Sequence, residues 1–229
     1  MGYDLAAFAA AFASDPILAL IVILTLGATV VNGATDAPNA IATVVGTKAM
    51  RPGPAIAMAA ACNFVGLAGI TMVSSAVALT IFKMVDFGGD NHAALVALAA
   101  AMVAIIVWGA AAWYFGIPTS QSHSLIAGIT GAAIALQGGL GGVNGAEWMK
   151  VVYGLVISTG LGFGTGWLFT RIIKVTCRRL HRRKANAFFK WAQIASGAGV
   201  AVLHGAQDGQ KFLSLCMLGI MIAMSCSVD

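Results

Sequence analysis

Charged side chains are scarce in this sequence, and their scarcity excludes an ordinary water-soluble domain. Asp, Glu, Lys and Arg make up 9% of the 229 residues, whereas 59% are hydrophobic. A soluble domain carries about 25% charged residues, which help to cover its surface. A lipid-spanning helix needs roughly 20 mostly apolar residues to cross about 30 Å of hydrocarbon, and the sequence supplies such runs repeatedly. We therefore predict an all-α, polytopic helical protein of the cell membrane.

Paired cysteines, a basic leader and dispersed positive charge are also missing. The four cysteines form no C-x-x-C pair, so no disulfide, resident metal or redox cofactor is predicted. The first sixteen residues lack a basic region and carry Asp4 and Asp15, which argues against a cleaved signal peptide. Eight of the thirteen Lys and Arg lie between Arg171 and Lys190. This block lacks interleaved aromatics, which disfavours nucleic acid, and it predicts a cytoplasmic loop that attracts anionic membrane lipid.

Six apolar stretches follow one another along the chain. They cover Ile17 to Gly46, Pro54 to Phe82, His92 to Phe115, Ile117 to Gln137, Met149 to Thr170, and Trp191 to Met224. If the N-terminus is outside and the first five stretches each cross once, every strong Lys and Arg cluster falls on the cytoplasmic side, as the positive-inside rule requires. The fourth stretch follows the third with only Gly116 and Pro118 as a break, so it either crosses or forms a re-entrant hairpin.

A polar segment interrupts the first apolar stretch and contains a carboxylate, Asp36. An ionised group near the bilayer centre costs on the order of 3 kcal/mol or more, and such groups usually serve a function. We predict a helix break at Gly33 and Pro38, which frees backbone carbonyls at membrane depth. Together with Asn32 and Asn39, Asp36 forms an oxygen-rich cluster suited to Na⁺ or to proton exchange. The alternative is that Asp36 lies in a loop and caps a short helix.

A second polar segment begins the fourth stretch and is typical of a helix start. It reads Gly116-Ile117-Pro118-Thr119-Ser120-Gln121-Ser122-His123-Ser124. The first amides of a helix have no internal partner and the helix dipole is positive there, so an anion is favoured. Thr119, Ser120, Gln121 and Ser122 are therefore predicted to bind an oxyanion, unless the hydroxyls only cap the helix. His123 is either a proton relay or a packing group.

The third polar segment, in the last apolar stretch, repeats part of the first. Gly33 to Asp36 and Gly205 to Asp208 share the pattern G-A-x-D. Five crossings separate the starts of the two stretches, so the copies enter the membrane from opposite sides. This arrangement is typical of inverted repeats, whose broken helices meet near the midplane to form a substrate site. Lys211 either pairs with Asp208 on one helix face or contacts the anion directly.

These three segments resemble signatures of the inorganic phosphate transporter (PiT) family. The family signature G-A-N-D-V-A-N-A is similar to Gly33-Ala34-Thr35-Asp36-Ala37-Pro38-Asn39-Ala40, with Thr35 in place of the first Asn. The signature P-x-S-T-T-H is similar to Pro118-Thr119-Ser120-Gln121-Ser122-His123, with Gln121 and Ser122 in place of Thr. The pattern H-G-A-x-D is similar to His204 to Asp208.

The resemblance implies a secondary transporter that couples inorganic phosphate uptake to Na⁺ or H⁺, with no cofactor besides that ion. By the family pattern, Asp36, Asn39 and Asp208 handle the cation and help frame the site, while Ser120, Gln121 and Ser122 contact phosphate. The substitutions at Thr35 and Gln121 leave a sulfate symporter of related architecture as an alternative.

A complete family member carries a second P-x-S-x-x-H-like motif after the second G-A-x-D, and the sequence reaches Asp229 without one. We therefore expect an incomplete transporter that does not transport alone, either because the sequence is a fragment or because a second polypeptide supplies the rest. The expected protein partner is the missing C-terminal half or, alternatively, further copies in a homo-oligomer. The predicted domains are a first membrane repeat (1–170), a basic cytoplasmic loop (171–190) and the beginning of a second repeat (191–229).

Two other classes of function are alternatives to transport. A non-transporting membrane scaffold would dock a partner through the basic loop. An enzyme is disfavoured, because no nucleophile and base pair, metal triad or phosphate loop stands out.

Overall fold

A computed structural model describes residues 5–73, 76–179 and 181–226, and within them the chain forms helices joined by short turns. The helices are α1 (Leu5–Ser14), α2 (Pro16–Thr35), α3 (Pro38–Gly46), α4 (Pro52–Val73), α5 (Ala76–Met84), α6 (Asn91–Phe115), α7 (Gln121–Gln137), α8 (Gly145–Thr176), α9 (Arg182–His204) and α10 (Gln210–Cys226). A 3₁₀ turn, Leu140–Gly142, precedes α8, and a π-helical segment, Gly205–Gly209, joins α9 to α10. No β-strand occurs in the described ranges.

Four helical segments of the described chain are long and apolar enough to cross a membrane. They are Pro16–Gly46, Pro52–Val73, Asn91–Phe115 and Gly145–Thr176. The prediction of an all-helical, multi-pass membrane protein is confirmed. α7 is not among the four because its 17 residues span only about 26 Å at 1.5 Å per residue.

Polar residues placed just before apolar runs begin the helices. Asp15 accepts hydrogen bonds from the amides of Ile17 (2.8 Å) and Leu18 (3.2 Å), and Pro16 occupies the first turn of α2. Asp90 and Asn144 cap α6 and α8 in the same way. These side chains satisfy amides that have no partner inside the helix. The sequence signals for helix starts therefore coincide with the observed boundaries.

Loops that the charge pattern assigns to one side lie together in the structure. The amide of Asp86 donates to the carbonyl of Gly142 (2.8 Å), and the amide of Asn144 donates to Met84 (2.9 Å). These contacts join the end of α5 to the turn after α7. Because α6 starts and α7 ends at this junction, the two helices form a hairpin. The hairpin agrees with the predicted topology, in which the loop before the third apolar stretch and the loop after the fourth lie on the same side of the membrane.

The helix pair that carries the first G-A-x-D copy, α2 and α3, packs antiparallel to the pair that carries the second, α9 and α10. α3 contacts α9, whereas α2 contacts α10. A Cβ on Gly197 of α9 would meet Val44 of α3 and a Cβ on Gly219 of α10 would meet Ile21 of α2, at 2.5 and 3.0 Å. Residue numbers therefore increase along one copy in the direction in which they decrease along the other. Such antiparallel packing is what the predicted inverted repeat requires of the two copies.

α4 packs against the second copy at backbone distance. A Cβ on Gly66 would overlap the carbonyl of Val202, and a Cβ on Gly205 would overlap the backbone of Asn63. Small residues allow such close approach of membrane helices. The contact holds α4 and the π-helical segment in fixed register, which positions Asn63 beside His204.

The basic segment predicted as a loop is largely helical where it is described. α8 continues to Thr176 and α9 begins at Arg182, so the connection is shorter than the predicted loop 171–190. Lys and Arg favour helices, and a 32-residue helix such as α8 is about 48 Å long, which exceeds the hydrocarbon thickness. The outer limits of the predicted domains, residues 1 and 229, lie outside the described residues.

Candidate functional site

The first G-A-x-D copy ends α2 at a break that is narrower than predicted. α2 continues through Gly33 to Thr35, and α3 begins at Pro38, so only Asp36 and Ala37 are non-helical. The predicted break at Gly33 is wrong, because glycine permits a break without imposing one. Pro38 has no amide proton to donate to Ala34. The amide of Ala37 bonds to Asn32 (3.4 Å) instead of Gly33, so carbonyls beside Asp36 lose their usual helical donors.

The start of α7 points at the Asp36 carboxylate. The amide of Gln121, the first residue of α7, donates to Oδ2 of Asp36 at 3.2 Å. Ser120 caps the helix, and its Oγ accepts from the amide of His123 at 3.5 Å. The positive end of the α7 dipole therefore faces a negative side chain from another helix, which is a favourable arrangement. Asp36 occupies the C-cap position of α2, and its carboxylate accepts from the start of α7.

The second copy reaches the same point through Asp208, which lies in the π-helical segment. The Ser122 hydroxyl donates to Oδ1 of Asp208 at 3.2 Å. Lys211 contacts the same Oδ1 at 2.7 Å and Ser122 Oγ at 2.5 Å. The predicted ion pair between Asp208 and Lys211 is therefore present. A π turn is frequent at functional sites, and here it replaces the predicted break.

His204 completes the group from the last turn of α9. Its Nδ1 lies 2.7 Å from Oδ1 of Asn63, and the Asn63 amide nitrogen donates to the Ala59 carbonyl at 2.8 Å. Because Asn63 Oδ1 only accepts, His204 Nδ1 must carry the proton. In neutral His204, the lone pair of Nε2 then faces Oδ2 of Asp208 at 3.4 Å. Two acceptors in this position require a proton or a cation between them.

Asp36, His204 and Asp208 form what we call the carboxylate cluster. One ligand atom from each lies within 4.8 Å of the other two, close enough to hold a metal ion. The side chains of Asp208 and His204 are 11% and 18% exposed. Two carboxylates and the one ammonium of Lys211 leave a net charge of −1 when His204 is neutral. Burial makes such an uncompensated charge costly, so the cluster favours a positive ligand.

Buried amide groups without partners lie beside the carboxylate cluster. Asn32 Oδ1 and both polar side-chain atoms of Gln121 have no hydrogen-bond partner among the described residues. Gln121 is fully buried, and a Cβ on Gly109 of α6 would overlap its side chain. Asn32, Asn63 and His204 line a cavity of about 320 Å³ between the two repeats. An unsatisfied buried amide costs about 1 to 3 kcal/mol, which a polar ligand in the cavity would recover at Asn32. The Gln121 side chain packs against α6 and does not line this cavity.

Four predicted site residues have side chains directed elsewhere or bound locally. Asn39 is exposed on α3. Thr119 Oγ1 accepts a hydrogen bond from the indole of Trp108 at 2.9 Å. Ser120 acts through its cap. His123 is exposed and lines two cavities, one with Trp108 and Ser120 and another with Ser122 and Lys211.

The structure therefore brings Asp36, Gln121, Ser122 and Asp208 together, with Asn32 adjacent. Asn39 and Thr119 lie outside this contact network, and His123 shares only a cavity with it.

Asn63 was missed by the sequence analysis. It is an amide in the middle of the second apolar stretch, and this isolated polar residue was the signal that could have identified it. Its hydrogen bond to His204 orients the imidazole toward Asp208, in the manner of a partner that orients a metal ligand.

Membrane-length helices that meet at a partly buried charged cluster make the chain a multi-pass helical membrane protein. The model of the phosphate transporter family matches residues 32–184, and the chain belongs to this family.

Named relatives agree with this assignment. A Bacillus subtilis (strain 168) protein named "Probable low-affinity inorganic phosphate transporter" is 36% identical over 204 residues, covering 89% of this chain and 60% of that protein. The Escherichia coli (strain K12) "Low-affinity inorganic phosphate transporter PitA" is 35% identical over 212 residues, covering 82% of this chain and 42% of that protein. The chain thus spans about half the length of the curated relatives it matches.

A solved structure titled "The sodium-dependent phosphate transporter" shares the fold. The TM-score is 0.74 at 19% sequence identity, and the match covers 92% of this chain and 68% of that chain. The family signatures identified in the sequence are therefore accompanied by the family's fold.

Proposed function

We propose that this chain supplies an oxyanion site and a cation site of an inorganic phosphate symporter driven by Na⁺ or H⁺. The observation that carries the proposal is the convergence of Asp36, the start of α7 and Asp208 at one partly buried point. These groups come from segments far apart in the sequence, which include both repeat copies. A helix start with free amides suits a tetrahedral oxyanion, and the two carboxylates suit a cation.

The charge of the cluster explains why anion uptake would require a cation. With a net charge of −1 from Asp36, Asp208 and Lys211, the empty site repels phosphate. A bound Na⁺ or proton brings the site to neutrality before the anion arrives. The position of His204 Nε2, a lone pair facing Asp208 Oδ2 at 3.4 Å, supports the same need for a positive ligand. We therefore propose that the cation binds first.

Asp36 also occupies a donor that phosphate would use. Its Oδ2 accepts from the Gln121 amide at 3.2 Å, and Asp208 accepts from the Ser122 hydroxyl at 3.2 Å. The protein's own carboxylates therefore accept from donors that an oxyanion would use. A cation that draws Asp36 away from α7 leaves the Gln121 amide free for a phosphate oxygen. Cation binding and anion binding are thereby coupled through one side chain.

The names of the relatives favour phosphate as the oxyanion. The Bacillus and Escherichia proteins carry the name of inorganic phosphate transporters, and the solved structure is titled sodium-dependent. Sulfate has a similar tetrahedral shape, so it is the competitor that the experiment must include.

Equilibrium binding of radiolabelled phosphate to the purified chain in lipid nanodiscs tests the proposal. Na⁺ and pH are varied independently at constant ionic strength, and unlabelled sulfate is added as competitor. We expect saturable binding that strengthens with one of the two cations and is displaced by phosphate better than by sulfate. Because a hydrogen bond to a charged group contributes about 1.5 to 3 kcal/mol, Ser122→Ala should weaken phosphate binding by about 10-fold or more.

Ser158→Ala is the matched control. Ser158 lies on exposed α8, and its hydroxyl bonds only locally, to the Leu155 carbonyl at 3.1 Å. This variant should bind phosphate as the unaltered chain does. Phosphate binding that ignores both cations, or an equal effect of the two serine substitutions, would contradict the proposal. Tighter displacement by sulfate would reassign the substrate.

A further inference from the structure

Lys211 occupies the position of a small cation beside the second-repeat carboxylate. Its Nζ lies 2.7 Å from Asp208 Oδ1 and 2.5 Å from Ser122 Oγ. The side chain is 23% exposed, so most of the ammonium group is withdrawn from solvent. Two oxygen ligands from different helices hold it in place. The ammonium therefore has the oxygen contacts that a bound Na⁺ would need.

The first repeat has no such internal charge. In the G-A-x-D copies, Lys211 follows Asp208 by three positions, and Asn39 follows Asp36 by three positions. The first-repeat residue at this place is therefore a neutral amide, and it is exposed. Among the residues that the structure describes, Asp36 forms no ion pair with a lysine or arginine, whereas Asp208 has Lys211. The two carboxylates differ in whether the protein itself supplies a positive charge.

Local geometry shows that Lys211 is held more firmly than the other lysine that follows an acid by three positions. Lys150 has its Nζ 2.6 Å from buried Glu147, but the Lys150 side chain is 67% exposed and this bond joins residues of one helix. Lys211 instead also contacts Ser122 of α7 and lies beside the carboxylate cluster. Its charge is consequently part of the electrostatics of the site.

We propose that Lys211 is the resident cation of the second repeat, so that Asp36 alone recruits a cation from solution. The inference rests on the proposed cation-coupled function and specifies how many ions the cluster takes. Replacing Lys211 by a neutral residue leaves Asp208 buried without compensation. The altered site must then take up one additional cation. Lys211 thus determines cation stoichiometry.

Direct binding of ²²Na⁺ to the purified chain tests this inference without any phosphate. The chain is held in nanodiscs at pH 8, and choline chloride keeps the ionic strength constant. We expect Lys211→Asn, which places an amide where the first repeat has Asn39, to bind one more Na⁺ per chain at saturation than the unaltered chain. Lys211→Arg keeps the positive charge and should add none. Asp208→Asn combined with Lys211→Asn should remove the gain, because Asp208 then carries no charge to compensate and Asp36 recruits one cation as before.

Lys48→Asn is the control, because Lys48 is exposed and forms no ion pair among the described residues. Its left-handed backbone, with φ 60°, suits Asn, and Na⁺ stoichiometry should stay unchanged. A folded Lys211→Asn variant with unchanged stoichiometry would overturn the inference, and so would a gain that persists after Asp208 is neutralised. If Lys211→Asn and Lys211→Gln both elute as aggregates, recovery of a single species by Na⁺ supports the inference, and failure to recover refutes it. Loss of phosphate binding alone would refute the proposed function and leave this result standing.

Discussion

Replacing Asp36 by Asn should make phosphate binding independent of the coupling cation. The carboxylate accepts from the Gln121 amide at 3.2 Å and carries the charge that a cation would neutralise. Asn keeps the size of the side chain and an acceptor oxygen but removes the charge. If the coupling cation acts by neutralising Asp36, the variant resembles the cation-bound site. It should bind phosphate well when no coupling cation is present, and a transporter that carries the change should lose its coupling.

The expected size follows from the short distances at the start of α7. A phosphate on the Gln121 amide would place its charge about 5 Å from the Asp36 carboxylate, where two unit charges repel by about 3 kcal/mol at an effective dielectric constant of about 20. That repulsion corresponds to about 200-fold in the dissociation constant. In the absence of the coupling cation, the variant should therefore bind phosphate about 200-fold more tightly than the unaltered chain. At saturating cation, the two should converge.

The assay is equilibrium phosphate binding in nanodiscs, measured without the coupling cation and at saturation. Asp90→Asn is the control, because Asp90 caps α6 through the amides of His92 and Ala93 and Asn caps about as well as Asp. This control should keep the cation dependence of the unaltered chain. The reasoning is refuted if Asp36→Asn retains that dependence in full, or if it abolishes phosphate binding at every cation concentration.

Three further substitutions test the framework of the site. Gly205→Val should destabilise the chain by about 3 kcal/mol or more, because its Cβ would overlap the Asn63 backbone. Thermal unfolding would show this loss. The control Gly199→Ala, which has open space around the Cβ, should change stability little. Asn63→Leu removes the acceptor for His204 Nδ1, and ²²Na⁺ binding should weaken by roughly 10-fold or more. Ser120→Ala should lower the free energy of unfolding by about 1 kcal/mol, because the α7 cap is lost. Thermal unfolding would detect this change, and unchanged stability would contradict the role of the cap.

Much of this arrangement was predictable because polar residues are expensive in lipid. Asp36, Ser122 and Asp208 stand out in an apolar sequence, and the shared G-A-x-D pattern predicts that two of them meet from opposite directions. Helix starts were visible as well, since Asp15 and Asn144 cap the helices they precede. The physical reason is common to both: an unpaired polar group in lipid or at a helix end must find a partner.

The details that escaped prediction depend on distances between helices. The sequence pattern places Gln121 at the start of α7 but does not show that its amide reaches Asp36 while its side chain packs against α6. The π-helical form of Gly205–Gly209 depends on the close packing of Gly205 against Asn63. Asn39 and Thr119 carried the right chemistry, yet the turn of their elements directs them away from the cluster. Side-chain direction around a break is set by tertiary packing, which composition alone does not encode.

The asymmetry between the two repeats suggests why a single side chain can couple two ions. If both carboxylates lacked an internal partner, the empty cluster would carry two uncompensated charges, and neutralising one would still leave phosphate repelled. If both were paired with lysines, no cation would be required. Lys211 compensates Asp208, and Asp36 is left facing the amide of Gln121. Under the proposed function, one cation at Asp36 would both cancel the remaining charge and release the donor that phosphate needs.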